Sequence, residues 1–106
     1  MYRAIFLFCL LLSGPSQAAE GDYALVIQGN RFVPEELVVP AGKKVRLVVE
    51  NRDDTPEEFE SHGLNREKIV PAHTSVVLYI GPLSAGVYPF FGDYHETTAR
   101  GSIIAR

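Results

Sequence analysis

From position 22 onward, apolar and polar residues tend to alternate in short runs broken by turn formers. Lys44-Val45-Arg46-Leu47-Val48-Val49-Glu50 places charge and hydrophobe on opposite sides of an extended chain, as a half-buried strand requires. Tyr23-Ala24-Leu25-Val26-Ile27 predicts a first strand, followed by a turn at Gly29-Asn30. Phe32-Val33-Pro34 and Glu36-Leu37-Val38-Val39-Pro40 come next, and Ala41-Gly42-Lys43 is a tight turn. A polar loop, Asn51-Arg52-Asp53-Asp54-Thr55-Pro56, leads into a short extended piece, Glu57-Glu58-Phe59-Glu60-Ser61. Residues 64–70 read as irregular, with room for one helical turn. Ser75-Val76-Val77-Leu78-Tyr79-Ile80 is a strand ended by Gly81-Pro82. Gly86 opens another through Tyr88, Phe90 and Phe91, and residues 102–105 form the last. No segment sustains a helical period. Seven or eight short strands with turn signals between them predict an all-β sandwich.

The first eighteen residues follow a different pattern. Met1-Tyr2-Arg3 is a cationic start, residues 4–12 are an apolar run, Ser13-Gly14-Pro15 breaks it, and Ser16-Gln17-Ala18 is a small-x-small cleavage site. This reads as a secretory signal peptide, residues 1–18, ahead of a single domain at 19–106. The apolar run is too short for a permanent membrane span, so no membrane insertion is expected after cleavage, and the domain is expected to be exported; the resemblance described below implies the periplasm. Cys9 is the single cysteine and Met1 the single methionine. Both leave with the signal, and the mature domain must then hold itself by core packing without a disulfide. Loss of Arg3 moves the formal charge from -3 to -4. That mild acidity argues against nucleic acid as a partner and is compatible with cations.

The phrase x-Phe-x-Pro-x-x-Leu-x-Val-x-x-Gly-x-x-Val, visible from Arg31 to Val45, resembles the N-terminal hallmark of small cupredoxins. The C-terminal stretch resembles their metal loop: aromatic strand, polar loop with one imidazole, glycine, β-branched strand. The resemblance covers nearly all of residues 19–106 and implies a cupredoxin-like Greek-key β-sandwich. Residue by residue, Gly92 stands where the family has Cys, His95 where it has His, and Ala99 where it has Met. Glu57, directly after Pro56, takes the place of the upstream His. A blue-copper centre needs a thiolate, which this chain lacks after cleavage. Carboxylate and imidazole donors suit iron, manganese, cupric copper or zinc. Glu57 and His95 are therefore the candidate metal ligands, for a copper or iron ion. Glu58, Glu60 and Asp93 are candidate further donors. Phe59 shares the strand face of Glu57 and points to the core, whereas Glu58 and Glu60 share the opposite face. His62 and His73 read as surface residues, and Tyr88, Phe90 and Phe91 as packing.

Further segments narrow the resemblance: Glu57-Glu58-Phe59-Glu60-Ser61, Leu64-x-x-Glu67-Lys68, Ile80-Gly81-Pro82-Leu83-x-x-Gly86-x-Tyr88-x-Phe90-Phe91 and His95-x-x-x-Ala99-x-Gly101. They are similar to small periplasmic cupredoxins encoded with bacterial ferrous-iron uptake systems. The resemblance implies a role in iron import, by ferrous oxidation or metal hand-over. It names an iron permease complex and a periplasmic iron-binding protein as partners. Three classes follow: a metal-binding accessory protein, a ferroxidase enzyme, and a metal-free interaction module of the same transport complex.

Overall fold

The computed structural model describes residues 21–106. The predicted signal segment, 1–18, lies outside the described residues. Nine strands follow one another: β1 Asp22–Ile27, β2 Phe32–Val33, β3 Glu36–Val39, β4 Val45–Asn51, β5 Glu57–Ser61, β6 Arg66–Val70, β7 Ser75–Ile80, β8 Gly86–Gly92 and β9 Arg100–Ala105. They form two sheets, ordered β2-β1-β4-β7 and β3-β9-β8-β5-β6. β1 runs parallel to β4 and β3 parallel to β9, while every other pairing is antiparallel. The result is an all-β sandwich. Among the described residues no helix is long and apolar enough to cross a membrane.

The alternation read along β4 is the burial actually found: Val45, Leu47, Val49 and Asn51 are buried and Arg46, Val48 and Glu50 half-buried. The two inner faces meet around Phe32, Phe59 and Phe90. Phe32 stands edge-on to Phe90 at a centroid distance of 4.9 Å and to Phe59 at 6.0 Å. Phe59 lies 5.2 Å from Phe90. Offset and edge-on packing suits the ring quadrupoles, and all three rings are at most 1 % exposed.

One element departs from the sequence reading. Residues 66–70 are not irregular and hold no helical turn: they form strand β6 and pair with β5 from Glu57↔Val70 to Ser61↔Arg66. β6 is the edge of its sheet, so Arg66, Glu67, Lys68 and Ile69 are all exposed and no alternation survives in the sequence. Charged residues are the usual protection of such an edge. The Arg66 guanidinium donates two hydrogen bonds to the carbonyl of Tyr79 on β7, at 3.0 and 2.9 Å. That bridge ties the rim of one sheet to the rim of the other.

Candidate metal centre

Two buried polar residues that sequence reasoning passed over set the frame. Asn51 ends β4 on its core-facing parity and is 1 % exposed. Its amide donates to the carbonyls of Thr55 at 2.9 Å and Val70 at 3.0 Å, and its oxygen accepts from the Asp53 amide at 2.9 Å. This fixes the loop that delivers Glu57. Ser61, also 1 % exposed, donates to the carbonyl of Pro89 at 2.7 Å and accepts from the Leu64 amide at 3.2 Å. It locks the far end of β5 to β8. The signal for both was present: a small polar side chain at a position whose strand parity points inward.

β5 and β8 pair antiparallel, Phe59 opposite Gly92 and Glu60 opposite Phe91. The pairing runs on past the strand end, where the Asp93 amide donates to the Glu58 carbonyl at 2.9 Å. The loop after β8 is closed by its own backbone. Gly92 donates to the Ala99 carbonyl at 2.8 Å, and the His95 carbonyl accepts from Ala99 at 2.9 Å and Thr98 at 3.2 Å. The loop carrying His95 is thus held against the start of β5.

Glu57 is the centre of the arrangement. Its side chain is 1 % exposed. Oε1 accepts from the backbone N–H groups of Glu58 and Tyr94, each at 2.9 Å. Oε2 faces His95 Nδ1 at 2.6 Å. Charge-assisted bonds of this length are the strong ones, and a buried carboxylate needs such partners to remain in place. The His95 side chain is 28 % exposed, so the pair opens to solvent on the imidazole side. The carboxylate and imidazole expected to share a centre therefore do meet, although 38 positions apart.

Glu58, Glu60 and Asp93 form a separate group. In β5 the burial alternates, with Glu57, Phe59 and Ser61 buried and Glu58 and Glu60 half-buried. The last two face outward, on the other side of the sheet from Glu57. One carboxylate oxygen from each of Glu58, Glu60 and Asp93 lies within 4.8 Å of the other two. Glu67 joins them from β6, opposite Glu60 in the register. The Glu58 carboxyl is pushed up to about 7: first by its hydrogen bond with Glu67, then by loss of surrounding water, then by the charges of Glu67, Asp93 and Glu60. His62 and His73 are exposed, as read. The His62 ring lies tilted beside Phe91 at a centroid distance of 5.7 Å, and His73 bonds to Asp54 at 2.7 Å.

The candidate residues do not fit a thiolate copper site. Gly92 and Ala99 are buried without donor side chains, and the space beside them is taken by Glu57. A Cβ placed on Gly92 would lie 2.5 Å from Glu57 Oε2 and 2.8 Å from the Ala99 methyl. An ion with nitrogen and oxygen preference fits the remaining donors better. Bonds of about 2.1 Å to both at a tetrahedral angle would set the two donor atoms about 3.4 Å apart, wider than the present 2.6 Å contact.

A two-sheet β-sandwich with an imidazole loop at one end defines the class of cupredoxin-fold domains. The chain belongs to the cupredoxin-like domain family, whose model matches residues 2–105. It is 42 % identical over 106 residues to the uncharacterized protein RP394 of Rickettsia prowazekii, covering 98 % of this chain and 85 % of that one. Among solved structures it is similar to auracyanin A, a "blue" copper protein of Chloroflexus aurantiacus. There the TM-score is 0.69 at 14 % identity, covering 80 % of this chain and 98 % of that one. Amicyanin from Paracoccus versutus gives a TM-score of 0.66 at 16 % identity, covering 85 % and 86 %. Both likenesses concern the fold.

Proposed function

We propose that the protein is a periplasmic metal-binding accessory of iron uptake, with Glu57 and His95 holding a copper or iron ion. One observation carries the reading: a buried carboxylate and a partly exposed imidazole, brought from distant strands, converge at 2.6 Å where the family's metal loop lies. Carboxylate and imidazole together favour harder ions and the higher charge state of a redox metal. The protein's share of the chemistry is fixed by Glu57. Its two backbone N–H bonds hold the carboxylate still, and that carboxylate orients the imidazole. Glu58, Glu60 and Asp93 lie on the outer face, where they are candidate donors to a cation in transit rather than to the inner ion. Iron is cargo in this reading, passed toward an iron permease complex or received from a periplasmic iron-binding protein. The resemblance in residues 57–61 and 80–101 and the signal-like first eighteen residues support that setting.

Calorimetry with cupric and ferrous ions tests the reading. The native chain is expected to bind one of them tighter than micromolar, and the doubly substituted E57Q/H95A chain to fold and bind neither. Unchanged binding by that variant overturns the assignment. Ferrous oxidation by the purified protein, with oxygen or a copper partner as electron acceptor, separates an enzyme from an accessory protein.

A second reading is a metal-free docking module of the same transport complex. What favours it is that the Glu57 carboxylate already has three partners of its own, two backbone amides and one imidazole. Failure of the native chain to bind any divalent or trivalent ion tighter than micromolar selects this reading.

A further inference from the structure

Gly92 has no backbone reason to be glycine. It is a strand residue paired with Phe59, and its φ lies outside the left-handed range that favours glycine. The reason is space. A Cβ there would fall inside the contact distance of Glu57 Cδ, 2.5 Å from Glu57 Oε2 and 2.8 Å from the Ala99 methyl. Neither neighbour can yield easily. Glu57 Oε1 is pinned by two backbone amides, and Ala99 is fully buried with its backbone bonded at both N–H and carbonyl. The carboxylate of Glu57 therefore occupies the room that a side chain at 92 would need. Ala99 closes that room from the other side, so a longer side chain at 99 would compete for the same volume.

We infer, resting on the carboxylate–imidazole reading above for the choice of metal, that Gly92 is the specificity-determining position of this centre. Its missing Cβ admits the Glu57 carboxylate to the ligand pocket and thereby shuts out a thiolate. Positions 57, 92 and 99 form one steric unit. The centre is a substitution of carboxylate for thiolate in the same volume, selecting ions of nitrogen and oxygen preference over soft cuprous copper. A cysteine restored at 92 alone meets an occupied pocket.

The test uses the chelator-treated protein, so that it stands apart from whether any metal binds. G92A is expected to lower the folding equilibrium constant roughly ten- to hundredfold, the usual range for overpacking a filled site. The folded fraction should show a displaced proton resonance for the His95–Glu57 hydrogen bond, a signal that a strain confined to the backbone would leave alone. If G92A does not fold, its cost is read on the E57A background: adding G92A to E57A should take away little or no further stability, because the space has been vacated. A folded G92A with an unchanged resonance overturns the inference, as does an E57A/G92A chain clearly less stable than E57A. On the metal side, G92C given cupric ion should show no intense thiolate-to-copper absorption. Appearance of that band with Glu57 in place also overturns it.

Discussion

Glu57 and Glu58 are neighbours in sequence and chemically identical, yet they live in opposite settings. Glu57 is buried with three hydrogen-bond partners, two of them backbone amides. Glu58 sits on the outer face among Glu60, Glu67 and Asp93, with no cationic partner for this group among the ion pairs of the described residues. The inner carboxylate is stabilised by donors built into the fold. The outer group is like charge against like charge, and the Glu58 carboxyl is pushed up to about 7 by it. A carboxylate's role in this domain is set by strand parity, which decides whether backbone donors or other acids surround it.

Truncating the inner carboxylate should cost most. E57A strands two part-buried backbone amides and opens a void, and should destabilise the domain by about 3 kcal/mol in urea denaturation. The same truncation one residue on, E58A, should be neutral or slightly stabilising. Equal costs for the two variants would erase the distinction between the faces.

The outer side can be sharpened by pH. The Glu58 carboxyl titrates at about 7 in the folded protein against an ordinary value of 4.5. Between those values the folded chain holds a proton that the unfolded chain has lost, so this group's contribution to stability is full below about 4.5 and falls as pH rises to about 7. Stability curves across that window should slope downward, and E58Q should flatten them. A slope that survives E58Q would locate the proton elsewhere. The smallest effect should come from placing a cation in the group. E60K should stabilise by about 0.5 kcal/mol, the ordinary worth of an exposed opposite-charge pair, and less in high salt.

The strands of the sandwich were readable because most of them keep one buried face, and period-two alternation marks it. β6 was not, since Arg66, Glu67, Lys68 and Ile69 are all exposed and only Val70 is buried, so no alternation marks a face. The separation of Glu57 from Glu58 and Glu60 follows from counting by twos from Phe59. The pocket itself was harder to see. Gly92, Ala99 and Glu57 are three substitutions that make sense only together, and their common cause is a shared volume between residues 35 positions apart. Read singly, a glycine for a cysteine looks like loss; beside a longer acid at 57 and a small residue at 99, it is room being made. Asn51 and Ser61 were readable in principle, as small polar residues at inward positions.

The most direct test of the inner pair as a metal centre is a titration of the isotopically labelled protein with paramagnetic cupric ion, followed by NMR. The His95 ring and the amides of Tyr94 and His95 are expected to broaden first, at substoichiometric copper, with Glu60 and Glu67 little affected. Broadening confined to the outer acids, or none at any residue with one equivalent of copper added, would contradict it.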